Sequence, residues 1–229
     1  MKTLLLLFAL LPNFGLAADN GRLACDFSNG YFRVFDGQTK FEKYVTSANS
    51  EDVLLECGNK AAAAIIGSYL VFFENGRFHE KYVTSSSLSE RSLAVRGEMA
   101  IAVIGSYFIV ADKAQIQEKY VSSTDNVMLA MGNSIGAALM GSYFVAYVNG
   151  RFIEKYVGSR SADDMIRGRG RLIAASCGSY FVVLDGVRKS VAESYVGNSG
   201  SISINQDNAI HMSTSGRQTI YSLVTGTFR

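Results

Sequence analysis

Gly132-Asn133-Ser134-Ile135-Gly136 matches the Gly-x-Ser-x-Gly pattern of a serine nucleophile. That chemistry needs the serine on a strand-to-helix elbow, with a histidine as base and an acid to orient it. The chain holds two histidines, His79 and His211, and no helical period follows Ser134. The pattern is therefore read as a strand-to-strand turn. A second candidate is Arg167-Gly168-Arg169-Gly170-Arg171, the densest charge cluster. Three guanidinium groups could hold a phosphate or sulfate, yet one basic turn in a nearly neutral chain reads first as a solvated loop. Arg167, Arg169 and Arg171 are the only binding candidates of this kind. No zinc spacing, calcium loop or phosphate-binding glycine loop is present, so no metal and no cofactor are expected.

The third set of ionisable groups is more informative because it repeats. Glu42, Glu80, Glu118, Glu154 and Glu193 recur at steps of 38, 38, 36 and 39 residues. Each is followed two positions later by a tyrosine: Tyr44, Tyr82, Tyr120, Tyr156 and Tyr195. Four copies read Glu-Lys-Tyr-Val and the fifth reads Glu-Ser-Tyr-Val. One active site has no use for five equivalent acids, so these ten positions are assigned to structure. Alternation along a strand puts Glu80 on one face with Phe78 and Tyr82. A carboxylate on an apolar face needs a partner, and a sheet-to-sheet hydrogen bond to a tyrosine hydroxyl or a strand end is expected. Lys43, Lys81, Lys119 and Lys155 fall on the opposite face and are expected to reach the rim.

The elements that carry these residues follow from local signals. Asn75-Gly76 and Asn149-Gly150 are hairpin turns of the type that requires positive φ at both central residues. A two-residue turn at Asn75-Gly76 pairs Tyr69 with Tyr82, Val71 with Glu80 and Phe73 with Phe78. The same 13-residue separation predicts Tyr31–Tyr44, Tyr107–Tyr120 and Tyr143–Tyr156, and it sets Arg33 opposite Glu42. The fifth copy has a longer turn, with Tyr180 and Tyr195 15 apart. Each period adds a strand of small and aliphatic residues, such as Ala61 to Ile66, and a brief strand, such as Val53-Leu54-Leu55. A longer polar link, such as Thr84 to Ser87, leads to the next period.

Four short strands in about 38 residues, repeated five times with a partial copy at each end, match a propeller blade. The expected fold is all-β, a propeller-like ring of five to six blades with incomplete ends; tandem β-trefoils are the alternative. Full periods fall near 31–68, 69–106, 107–142, 143–179 and 180–217. The long link should step from an outermost to an innermost strand, which makes the brief strand innermost and the glutamate strand outermost.

At the N-terminus, Met1-Lys2 precedes the apolar run Leu4 to Leu11, with small residues at Gly15, Ala17 and Ala18. This reads as a signal peptide over 1–17, leaving one repeat domain over 18–229. Its apolar run is too short to span a bilayer, and no later segment is long enough. The whole chain has 22 basic and 20 acidic residues, a balance that points away from nucleic acid. Cys25, Cys57 and Cys177 allow one disulfide, whose pairing the sequence leaves open.

A secreted or periplasmic, non-enzymatic, multivalent binding module is the first functional reading, with a glycan or a cell-surface protein as partner. A structural or protein-interaction part of an envelope assembly is the second. A hydrolase with its site at the ring centre is the third.

Overall fold

The computed structural model describes residues 22–45, 52–83, 91–121, 126–159 and 161–229. The signal peptide and the Thr84–Ser87 link lie outside the described residues. Among the described residues no helix is long and apolar enough to cross a membrane.

Among the described residues every regular element is a strand, and these strands form six antiparallel sheets in chain order. The first sheet holds β1 (Ala24–Ser28), β2 (Tyr31–Phe35) and β3 (Lys40–Tyr44). The second runs β4 (Val53–Cys57), β5 (Ala61–Ile66), β6 (Tyr69–Glu74), β7 (Arg77–Tyr82). The third runs β8 (Arg91–Arg96), β9 (Met99–Ile104), β10 (Tyr107–Asp112), β11 (Gln115–Tyr120). The fourth runs β12 (Met128–Met131), β13 (Ile135–Met140), β14 (Tyr143–Val148), β15 (Arg151–Tyr156). The fifth runs β16 (Met165–Arg169), β17 (Leu172–Cys177), β18 (Tyr180–Asp185), β19 (Ser190–Tyr195). The sixth runs β20 (Gly200–Ile204), β21 (Asn208–Ser213), β22 (Gln218–Ser222), β23 (Thr227–Phe228). The architecture is the all-β, propeller-type succession that the period implies, and the second to fifth sheets each meander from a brief strand to a glutamate strand. The second to sixth sheets begin at the brief strand, so they use the same period in a different phase from the 31–68 series.

The predicted pairings are present. Tyr69 meets Tyr82, Val71 meets Glu80 and Phe73 meets Phe78. Tyr31–Tyr44 and Arg33–Glu42 pair in the first sheet, Tyr107–Tyr120 in the third and Tyr143–Tyr156 in the fourth. Tyr180 still faces Tyr195 across the longer turn. Asn75 and Gly76 have φ of 50° and 75°, and Asn149 and Gly150 of 51° and 78°, as that hairpin turn demands.

The sheets stack face to face, each joined to the next by an apolar cluster. Strands β5, β9, β13 and β17 are buried along their whole length. A sheet covered on both faces needs apolar residues at successive positions, which is why these strands do not alternate. The innermost strands of neighbouring sheets approach more closely than the outermost strands do, so the stack fans about an axis. Gly168 on β16 shows how tight that axis is: a Cβ there would run into the backbone of Met131 on β12, the preceding innermost strand. Outer strands splay apart, and water enters between them.

The terminal sheets differ from the rest. In β2 burial alternates, with Phe32 and Val34 inside and Tyr31 and Phe35 outside. The outward face of the first sheet carries Asp26, Arg33, Lys40 and Glu42, joined by ion pairs. In β21 only Ala209 and His211 are fully covered. Among the described residues no apolar cluster joins the sixth sheet to the first. The first sheet lacks an innermost strand among the described residues, and the Cys25–Cys57 disulfide ties β1 to β4 there. Cys177 is buried.

Candidate functional site

On each outermost strand the alternation that the sequence implies is kept. Phe78, Glu80 and Tyr82 face the preceding sheet, whereas His79 and Lys81 face the following one. Lysine and glutamate from adjacent sheets therefore meet. Lys43 Nζ lies 3.2 Å from Glu80 Oε2, Lys81 3.2 Å from Glu118, Lys119 3.0 Å from Glu154 and Lys155 2.8 Å from Glu193. These are four rungs of one ladder. It stops where Ser194 replaces the lysine, and the sixth sheet's outer strand, Thr227–Phe228, has no glutamate to receive one. At the other end, among the described residues, Glu42 has no preceding sheet to face. It pairs instead with Lys40 at 2.8 Å and Arg33 at 3.5 Å, and the hydrogen bond from Lys40 holds its carboxyl below the usual range.

This corrects two expectations. The glutamates are not buried carboxylates: the Glu80 side chain is 45% exposed. Their sheet-to-sheet partner is lysine rather than a tyrosine hydroxyl or a strand end, and the four lysines end in ion pairs rather than reaching freely to the rim. The face was read correctly. The splay of the outer strands, which lets solvent reach that face, is a tertiary property.

Above the ladder stands a row of exposed aromatic rings. Tyr44, Tyr82, Tyr120, Tyr156 and Tyr195 are 56%, 60%, 59%, 63% and 71% exposed. Each sits edge-on to the first tyrosine of its own sheet's middle strand. The ring centroids are 5.2 Å apart for Tyr31–Tyr44, 5.5 Å for Tyr69–Tyr82 and Tyr107–Tyr120, 5.6 Å for Tyr143–Tyr156 and 5.8 Å for Tyr180–Tyr195. Such an edge-to-face pair contributes about 0.5–1.5 kcal/mol beyond area burial. It also fixes the exposed ring's orientation, so a partner meeting the row orders little side-chain freedom.

The other candidates are dispersed. Arg167 and Arg169 lie on strand β16 and only Arg171 lies in the turn, so the cluster is not a loop. Arg169 donates to the Ile204 carbonyl of the next sheet at 3.3 Å. Arg96 does the same to Met131 at 2.9 Å, and Arg22 to Cys57 at 3.1 Å. All three tie an arginine to the end of the next innermost strand. Ser134 is exposed, with φ of 55°, in the turn between β12 and β13. His79 belongs to the second sheet, and His211 is fully buried in the sixth. No triad is assembled from them.

Sequence reasoning missed two acid–tyrosine latches, one buried and one half-buried. Asp185 accepts hydrogen bonds from the Tyr221 hydroxyl at 2.8 Å, the Val187 and Arg188 N–H groups at 2.8 and 2.9 Å, and the Arg188 guanidinium at 2.9 Å. Arg188 also donates to the Leu223 and Val224 carbonyls. Burial raises the Asp185 carboxyl, but these donors outweigh it and hold it below its ordinary value. Tyr221 is pushed up to about 12 by burial and by Asp185. Asp112 and Tyr147 form the same pair two periods earlier. Burial pushes Asp112 up, and burial followed by Asp112 pushes Tyr147 up. The available signal was an acid at the end of one middle strand and a tyrosine one period later. A polar cleft of about 280 Å³ opens near the Asp112 latch, lined by Lys60, Arg96, Glu98, Lys113 and Ser134.

The class defined by strand order and ladder is a propeller-type repeat protein. No protein-family model matches the sequence, and no curated protein matches it. Among solved structures it is similar to Sqt1 of Saccharomyces cerevisiae, at 10% identity and TM-score 0.45, over 93% of this chain and 71% of that one. BamB from Moraxella catarrhalis matches at 11% identity and TM-score 0.37, over 89% and 82%. Apo AztD from Citrobacter koseri matches at 10% and 0.35, over 91% and 79%. These likenesses add nothing to what the strand order already states.

Proposed function

We propose that the protein is an exported, non-enzymatic binding module that grips an extended protein partner at several equivalent points along the tyrosine row. The observation that carries this reading is the recurrence of one well-exposed, pre-oriented tyrosine per sheet in five consecutive sheets. Tyrosine is enriched where protein surfaces meet, because it offers a large apolar ring and a hydroxyl at low entropic cost. Equivalent weak contacts in a row add through effective concentration. The Lys–Glu rungs beneath leave the rim close to neutral, so attraction by net charge plays a small part. The Cys25–Cys57 disulfide supports export, since such bonds persist in oxidising compartments. The signal-peptide pattern over 1–17 supports it from the sequence.

A carbohydrate polymer is the second reading. The regular spacing of one aromatic per sheet favours it, because a repeating sugar could present one ring per step. A glycan array and cross-linking in the native envelope, both run on the mature protein, separate the two. The protein reading expects a photo-reactive residue placed at Tyr120 or Tyr156 to capture one discrete protein, and no glycan signal. Changing all five outer tyrosines to alanine should abolish that capture, while any single change weakens it. Capture that survives the five-fold change would sink the row as the binding surface.

A further inference from the structure

Among the described residues the sixth sheet is held to the molecule through one face, and an imidazole lies inside that contact. His211 on β21 is fully buried, with its ring centroid 5.4 Å from that of Phe181 on β18 and tilted 34° to it. Neither Nδ1 nor Nε2 meets a hydrogen-bond partner. The surrounding cluster is Leu172, Ala174, Phe181 and Val183 from the fifth sheet against Ile202, Ala209 and Tyr221 from the sixth. Gly200 makes room for the ring: a Cβ there would stand 2.7 Å from Nε2.

The carboxylates that face this contact are committed to other donors. From β16 come the cations Arg167 and Arg169, the latter bonded to Ile204. From β18 comes Asp185, taken by Arg188 and by Tyr221 of β22. Asp164, just before β16, accepts from Gly178, Ser161 and Ser199. From β17 the polar group is Ser176, whose Oγ takes the Gly200 N–H; Cys177 belongs to the cluster on the opposite face. Strand β20 has no ionisable side chain.

We propose that the sixth sheet is an acid-released flap: protonation of His211 undocks β20–β23 and uncovers the apolar face formed by Leu172, Ala174, Phe181 and Val183. An imidazolium in this contact would be a buried, unpaired charge, which is strongly unfavourable. Burial accordingly holds His211 below its ordinary value. A group whose docked-state value is lowered loses its stabilising contribution as pH falls below the undocked value, here about 6.5. The opening equilibrium then rises by up to about tenfold per pH unit until the docked-state value is reached. Asp185 acts lower on the scale, since its depressed carboxyl keeps stabilising the latch until pH falls below the ordinary carboxylate range. The first sheet has no such release, because the Cys25–Cys57 bond holds it.

Hydrogen–deuterium exchange followed by peptide mass spectrometry at pH 7.5, 6.5 and 5.5, corrected for intrinsic rates, tests the flap. Peptides from 200–229 should lose protection by up to about tenfold per unit below pH 6.5, while peptides from 61–140 keep theirs. H211F should retain protection in 200–229 at pH 5.5. Protection that does not change with pH in the wild type, or the same acid loss in H211F, overturns the proposal. Because H211F could fail to fold, an NMR titration of the wild type stands beside it. His211 should titrate below the ordinary histidine value, and a value at or above it overturns the proposal equally.

Discussion

The outer ladder and the contact between the fifth and sixth sheets both join neighbours with acid and base, yet they work differently. The ladder is repeated four times, half-exposed and made of long flexible side chains. The latch at Asp185 joins the fifth sheet to the sixth, is fully buried on its acidic side and gathers four donors on one carboxylate. Exposed ion pairs contribute about 0–1 kcal/mol each, whereas removing one partner of a buried, hydrogen-bonded set costs several times more. Repetition on the outer strands of this protein therefore marks a surface, and the terminal sheet is held by an acid–tyrosine pair to which Arg188 adds donors of its own.

The sharpest way to break that contrast is Asp185→Ala. It leaves the Tyr221 hydroxyl and the Arg188 guanidinium without their acceptor. Stability should fall by about 3 kcal/mol or more, read from chemical denaturation, with exchange protection lost first in 200–229. A cost no greater than that of a ladder residue would erase the distinction.

Next in size is the other terminal sheet. Cys25→Ser with Cys57→Ser opens a loop with a sequence separation of 32, and about 2–4 kcal/mol should be lost. The loss should show as fraying of 22–45 rather than of 200–229. Equal loss at both ends would mean that the sheets do not unfold from separate termini.

Tyr221→Phe removes one hydrogen bond to a charged acceptor, worth about 1.5–3 kcal/mol. It also carries a pH signature. The phenol is raised to about 12, so its contribution is complete below the ordinary tyrosine value of about 10 and is lost as pH rises from there to about 12. The melting-temperature gap between wild type and Y221F should be constant from pH 7 to 10 and should close above it. A gap that persists at pH 12 would show that the hydroxyl does not titrate in the latch.

Smallest of all should be Glu80→Ala, at about 1 kcal/mol or less, with Glu118→Ala and Glu154→Ala alike. A drop of about 3 kcal/mol at any of them would put the ladder in the same energetic class as the latch.

Much of the backbone was legible because it is decided locally. Asn75-Gly76 sets a two-residue turn, the turn sets the pairing sum, and the sum puts Tyr69 opposite Tyr82 without reference to any other sheet. The order of strands within a sheet followed from link lengths in the same way. The glutamates were the instructive failure. Their face could be read from alternation, but whether that face is dry depends on how far apart two sheets stand, and the inner strands close at Gly168 while the outer strands part. Which two of three cysteines meet, which sheets keep a bare face, and that Asp185 reaches Tyr221 while His211 is sealed against Phe181 were likewise settled only by stacking. Register is a property of residues a few positions apart along the chain, whereas burial and charge pairing between sheets depend on side chains that come together only when whole periods pack.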